Sequence, residues 1–186
     1  KLSNDLSNFN FIIHAASIAS PIFYRKYPIE TMDANVLGLR KLLDLAKNQI
    51  NELEGFLFFS TSEIYGDPSS DFIPTNEEYR GNVSCHGPRS CYDESKRFGE
   101  TIIKALNDNG YRAYSARISL AYGPGIFMND ERVINQFIIK ALNNKINLLD
   151  SGKALRTYCY ITDISKILLS IVSSGKKIVY NVGGES

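Results

Sequence analysis

Gly55-Phe56-Leu57-Phe58-Phe59-Ser60-Thr61-Ser62-Glu63 begins as an unbroken apolar run and ends in three hydroxyls and a carboxylate. A short apolar run opened by glycine and closed by polar residues predicts a strand buried on both faces. Strands of that kind belong to parallel sheets covered by helices on both sides, where ligands bind beyond the carboxyl ends of the strands. Ser60, Thr61, Ser62 and Glu63 stand at such an end.

Working outward, Phe9 to Ala16 reads as a second buried strand. From Ile29 to Lys47, Ile29, Met32, Val36, Leu39, Leu43 and Ala46 step by three and four, which predicts an amphipathic helix with Pro28 near its start. After Glu63 a long loop is marked by Gly66, Asp67, Pro68, Pro74, Gly81, Gly87 and Pro88. A helix follows over Tyr92 to Asn109, ended by Gly110, with Phe98, Ile102 and Leu106 on its predicted core face. Arg112 to Ile118 predicts a strand, Tyr122 to Gly125 a break, Arg132 to Asn143 a helix, and Ile146 to Leu149 and Arg156 to Tyr160 two short strands. Asp163 to Ser173 predicts a helix and Lys177 to Asn181 a last strand. Strands alternating with helices predict an α/β fold with a doubly wound parallel sheet. The ends at Ala15-Ala16-Ser17, Ser60 to Glu63 and Leu120 to Pro124, with the start of the Tyr92 helix, then meet at one edge.

The chain of 186 residues is 44% hydrophobic and 22% charged, with formal net charge +1, an ordinary balance for a globular protein. Lys and Arg are scattered, so no nucleic-acid footprint is present. Cys85, Cys91 and Cys159 are an odd count without Cys-x-x-Cys spacing, and His14 and His86 stand far apart, so neither a disulfide framework nor a metal site is expected. His14 reads as structural. No apolar stretch approaches a membrane span and no leader pattern opens the chain, which makes the cytoplasm the expected compartment.

Tyr92 and Lys96, in Cys91-Tyr92-Asp93-Glu94-Ser95-Lys96-Arg97, share one face of a helix. Alone, such a pair is more often a half-buried tyrosine beside a solvated lysine. With a hydroxyl and carboxylate cluster at the same edge it acquires chemistry: a phenol held acidic by a neighbouring ammonium can take a proton from a sugar hydroxyl.

In order along the chain, the runs His14-Ala15-Ala16-Ser17 with Ala19-Ser20-Pro21, Ala34-Asn35-Val36 with Gly38, Ser60 to Pro68, Gly87 to Glu94 with Lys96-Arg97, Asn129 to Val133, and Gly152-Lys153 with Arg156 resemble the extended short-chain dehydrogenase/reductases that act on nucleotide sugars, the epimerase/dehydratase group. Within it the UDP-glucuronate decarboxylases are the nearest match. The resemblance covers nearly the whole chain. It implies a Rossmann-like sheet lacking its first βαβ unit, with residues 1–125 a partial NAD-binding domain and 126–186 part of a small substrate-binding lobe with a returning strand and helix. It implies NAD as cofactor, a nucleotide sugar, expected to be a UDP-sugar, as substrate, and a homodimer formed through the helices of Ile29 to Lys47 and Tyr92 to Asn109. Tyr92 is then the catalytic base and Lys96 holds the nicotinamide ribose and lowers the phenol's pKa. Thr61 hydrogen-bonds the substrate's 4-hydroxyl, and Ser62 and Glu63 serve the neighbouring carbons. Ala15, Ala16, Asn35 and Ser60 line or brace the cofactor cleft, and Arg132 and Arg156 contact the diphosphate. Taken singly, the two arginines read as solvated and Asn35 as a polar residue on a helix face.

Ser62 separates the subgroups. A 4,6-dehydratase carries an acid there, and a 4-epimerase lacks the glutamate after it; Thr61-Ser62-Glu63 is the decarboxylase pattern. The implied sequence is oxidation at C4, loss of carbon dioxide from the β-keto acid, and reduction of the ketone, with dehydration or epimerisation as alternatives. The group's glycine-rich turn and acidic ribose ligand have no counterpart here, Leu120 stands where the group has asparagine, and Ile18 where decarboxylases have proline. The chain is therefore expected to be an internal piece of a longer enzyme or a truncated gene product, with an inert binding module as the competing reading.

Overall fold

The structure, a computed structural model, describes residues 9–46, 52–126, 130–146, 151–152 and 155–184. Strands β1 (Phe11–His14), β2 (Gly55–Thr61), β3 (Ala113–Ile118) and β6 (Val179–Val182) form one sheet in the order β1-β2-β3-β6, with every neighbouring pair parallel. Two short strands, β4 (Leu120–Tyr122) and β5 (Tyr158–Tyr160), pair in parallel as a second sheet. The expected α/β class with a doubly wound parallel sheet holds.

Alternation along β2 sorts its side chains to two cores. Phe56 and Phe58 pack with Leu39, Leu43, Ile103 and Ala113 on one face, while Leu57 packs with Tyr114, Ala116, Ile164, Leu168, Ile171, Val172 and Val182 on the other. The first face is covered by α3 (Gly38–Ala46) and α4 (Ser90–Asp108), the second by α6 (Ile161–Ser174). Helices on both faces explain why β2 is apolar on both sides from Phe56 to Phe59.

Several elements differ from expectation. The strand expected over Phe9 to Ala16 is reduced to four residues, and Phe11 and Ile13 are exposed, because β1 is an edge strand among the described residues. The helix expected from Ile29 is α2 (Pro28–Met32), a π-helical turn (Asp33–Leu37) and α3 in succession. The buried side chains of its first half are Thr31 and Asn35, not Ile29, which faces solvent. On α4 the expected core residue Phe98 is 53% exposed. The expected Ile102 and Leu106 do pack, partly buried, against the core, while the buried residues are Tyr92, Asp93, Ser95, Lys96, Gly99 and Ile103, mostly polar and invisible to an apolar periodicity. The expected break at Tyr122 includes the end of β4. A six-residue helix, α1 (Pro21–Lys26), stands where no element was expected, and α5 (Val133–Leu142) matches the helix predicted there. The strand expected over Ile146 to Leu149 lies outside the described residues beyond Ile146.

Candidate active site

β2 ends at Thr61, and the chain turns at once into a 3₁₀ segment, Ser62–Tyr65, capped by the Thr61 hydroxyl, which accepts from the Glu63 amide at 3.3 Å. This turn presents Thr61, Ser62 and Glu63 beyond the carboxyl end of the sheet. The start of α4 delivers Tyr92 to the same place, where its phenol is hydrogen-bonded to the Thr61 side chain and feels the charge of Glu63. One turn further along α4, Lys96 is 2% exposed and its Nζ donates to the Phe59 carbonyl at 2.6 Å. The ammonium lies 4.9 Å from the Phe58 ring centroid and 5.9 Å from that of Tyr92. The structure therefore brings together Thr61, Glu63, Tyr92 and Lys96, with Ser62 on the intervening turn.

The electrostatics depart from expectation. Tyr92 is pushed up to about 12, because burial disfavours the phenolate more than the Thr61 hydrogen bond favours it. Lys96 itself is pushed down to about 7 by burial. The expected lowering of the phenol by its ammonium neighbour is absent because that neighbour is desolvated too and aims at a backbone carbonyl. His14, at the end of β1, is buried and stacked on Phe58 at 5.6 Å; burial and then the Lys96 charge lower its pKa, so it stays neutral.

Asn35 is fully buried on the π turn, and its Nδ2 donates to Ser95 Oγ at 2.8 Å, which ties that turn to α4 one residue before Lys96. The five-residue turn aims this side chain inward. Ser60 is buried, and its hydroxyl donates to Glu100 at 2.5 Å, directed into α4. Ala15 and Ala16 are exposed just past β1. Arg132 immediately precedes α5 and is held by Asp130, with Nε donating to Oδ2 at 2.9 Å; its charge reaches Tyr92. Arg156 is exposed and donates to the carbonyl of Leu155, and no described contact joins it to the Tyr92 cluster. Leu120 lies on β4, opposite Tyr158.

Three residues of the cluster escaped the sequence reading as site residues. Tyr24, on α1, is buried and stacked on Tyr92 with ring centroids 5.1 Å apart and planes 10° apart. Arg89, the residue before α4, forms an ion pair with Glu63 and a hydrogen bond with Tyr24. Asp93 is buried beside them and pushed up to about 6, first by burial and then by Glu63. Arg89 and Asp93 lie inside the sequence run that carries Tyr92. Tyr24 had no local signal.

A family model described as the NAD dependent epimerase/dehydratase family matches residues 1–183. A UDP-glucuronic acid decarboxylase 1 from Xenopus tropicalis is 40% identical over 174 residues, 92% of this chain and 40% of the relative. UDP-glucuronic acid decarboxylase 6 from Arabidopsis thaliana is 38% identical over 92% of this chain and 49% of its own length. The chain thus spans half or less of the length of these curated relatives. Among solved structures, UDP-N-acetylglucosamine 4-epimerase from Methanobrevibacter ruminantium superposes with TM-score 0.81 at 25% identity, over 94% of this chain and 55% of that one. The dTDP-glucose 4,6-dehydratase from Bacillus anthracis in complex with NAD gives 0.74 at 25% identity, over 95% and 52%.

Proposed function

The chain belongs to the NAD-dependent epimerase/dehydratase family, and from that premise we propose that the protein of which it is part decarboxylates a nucleotide-linked uronic acid, UDP-glucuronate. The observation that carries the proposal is the Thr61–Tyr92 hydrogen bond with Glu63 beside it, set in a sequence whose curated relatives include UDP-glucuronic acid decarboxylases.

NAD is the family's cofactor, and the residues at this edge fit it. The buried hydroxyls of Ser17 and Ser119, at the ends of β1 and β3, have no hydrogen-bond partner among the described residues, and the small exposed Ala15 and Ala16 leave room beside them. Ala15, Ala16, Ser17, Tyr92 and Lys96 would hold it, with Asn35 and Ser60 bracing the cleft. When bound, NAD supplies a hydride acceptor and later the donor.

Tyr92, as the phenolate that the Lys96 ammonium and the positive charge of bound NAD would favour relative to the buried, unliganded state, would take the proton from the sugar's 4-hydroxyl, which Thr61 orients. A ketone at that carbon is β to the carboxylate, so the electron pair of the breaking carbon–carbon bond passes into it as carbon dioxide leaves. Glu63 and Ser62 face the carbons where the charge then changes, and Arg132 and Arg156 serve the diphosphate, whose oxygens suit a guanidinium fork. A second copy is proposed to cover the exposed Ile29, Leu37 and Phe98 of the α2–α3 and α4 faces. Three unpaired cysteines fit a reducing compartment, the cytoplasm. Among the described residues no helix is long and apolar enough to cross a membrane.

The test is full-length protein with NAD and UDP-glucuronate. Carbon dioxide and UDP-xylose are expected, with loss of about 10²–10⁴ in rate for Tyr92→Phe. Turnover of neutral nucleotide sugars alone would move the assignment to epimerase or dehydratase.

A further inference from the structure

We infer that Arg89 and Tyr24 are positioning residues of this site: Arg89 holds the Glu63 carboxylate beside the Tyr92 hydroxyl, and Tyr24 holds both Arg89 and the Tyr92 ring. The inference rests on the proposal that Tyr92 and Glu63 carry the chemistry.

Glu63 sits on a 3₁₀ turn with its side chain 36% exposed, so alone it would be free to swing into water. Its described side-chain partner is the Arg89 guanidinium. Arg89 is fixed to the helix that carries the phenol, because its carbonyl accepts the amides of Tyr92 and Asp93, each at 3.0 Å. A rigid link therefore runs from the first turn of α4, through the guanidinium, to Glu63 at the end of β2. The far side of Arg89 rests on the Tyr24 hydroxyl, and a buried phenol needs such a partner. Tyr24 is 2% exposed, lies nearly flat on Tyr92, and is seated by Cys91, whose Sγ contacts the Tyr24 carbonyl at 3.5 Å. The helix unexpected from sequence, α1, thus presses one tyrosine ring on another and orients the cation beside them.

Charge makes Arg89 the hinge of the cluster. Arg89 is ion-paired with Glu63 and its charge also acts on Asp93, whose Oδ1 is buried without a hydrogen-bond partner among the described residues. Remove the guanidinium and two like charges face each other beside the phenol, which drives Glu63 outward. The Arg89 side chain is 48% exposed, so its ion pair adds little to stability. Its consequence lies in where Glu63 points.

The experiment uses the full-length, NAD-loaded enzyme with UDP-glucuronate and the variants Arg89→Met, Arg89→Lys, Tyr24→Phe and the Arg89→Met/Tyr24→Phe double. Arg89→Met is expected to lower kcat at least tenfold with Tm nearly unchanged and to shift the pH–rate profile, while Arg89→Lys recovers part of the loss. Tyr24→Phe, which keeps the ring and drops the hydroxyl, is expected to lower kcat in the parent and to add nothing in the Arg89→Met background. Unchanged kcat and pH profile in Arg89→Met, or full additivity in the double variant, overturns the inference. A second measurement needs no turnover: in a ¹³C carboxyl titration, with Asp93 assigned from Asp93→Asn, the Asp93 midpoint moves to higher pH in Arg89→Met. An unmoved midpoint overturns the shared-guanidinium arrangement. Inactivity of the parent on UDP-glucuronate with a moved midpoint rejects the substrate assignment and keeps the arrangement.

Discussion

Arg117 grips Glu100 along two parallel hydrogen bonds, Nε to Oε1 at 2.9 Å and Nη2 to Oε2 at 2.7 Å, deep between β3 and α4. Burial opposes the Arg117 charge, and Glu100 and then Tyr65 more than offset it, so the guanidinium stays charged. The same arginine donates to the Tyr65 hydroxyl and the Glu77 carbonyl, each at 2.8 Å, and Ser60 donates to Glu100. The end of β2, the end of β3, α4 and the long loop are thereby fixed together just beneath Thr61 and Glu63. Losing one partner of a buried pair leaves an uncompensated charge and costs about 3–5 kcal/mol. Arg117→Met is expected to lose about that much in urea unfolding, and Arg117→Met/Glu100→Gln much less than the sum of the two single changes. Additive losses would mean that the pair is not coupled.

That network marks the limit of what could be read from sequence. The apolar run at Phe56 to Phe59 identified β2 and the parallel sheet, and the ordered runs around Tyr92 identified α4 and the candidate site. Arg117, Glu100 and Ser60 lie 17 and 40 residues apart in their contacts, and each alone reads as an ordinary polar side chain. α1 has too few residues to show a period, and its place is set by Tyr24 meeting Tyr92, a tertiary contact. Phe98 misled because α4 buries polar groups at its site end. The sign of the Tyr92 shift was missed for a related reason: spacing reveals a neighbouring cation, whereas burial, the larger cause, belongs to the folded chain.

Gly99 shows how close α4 approaches the sheet. A Cβ there would stand 2.3 Å from Phe58 Cζ. Overpacking of this kind costs about 1–3 kcal/mol, more than the gain of roughly 1 kcal/mol from replacing a helical glycine by alanine. Gly99→Ala is expected to lower Tm, and Phe58→Leu introduced beside it to recover part of the loss. A rise in Tm for the single change would show that the Phe58 ring moves aside freely.

Asp93 is destabilising as a carboxylate. Its pKa is raised from 3.8 to about 6, first by burial and then by Glu63, so the folded chain binds its proton more tightly than the unfolded chain does. The cost is fully present above about pH 6 and disappears as pH falls toward 3.8. Asp93→Asn is therefore expected to stabilise the protein by about 1 kcal/mol at pH 7, discounting the full linkage value for partial solvent access. Calorimetry at pH 7 and pH 4 checks this: the gain shrinks at the lower pH, and an equal gain at both would assign it to packing.

Lys96 carries the opposite sign. A lysine whose pKa falls from 10.5 to about 7 through burial binds its proton less tightly when folded, so its charge costs stability in full below pH 7 and progressively less as pH rises toward 10.5. The hydrogen bond to Phe59 and the contact with the Phe58 ring return part of that cost. Lys96→Met fills the same space without charge and is expected to raise stability by about 2–4 kcal/mol at pH 7, on a scale of about 1.4 kcal/mol per pKa unit. The advantage narrows by pH 10, and activity is lost. Such a trade is expected where a site holds a charge against its surroundings for the sake of chemistry. Denaturant melts of parent and variant at pH 7 and pH 10 measure it, and a variant less stable than its parent at pH 7 would show that the Phe59 carbonyl and the Phe58 ring repay the burial of this ammonium in full.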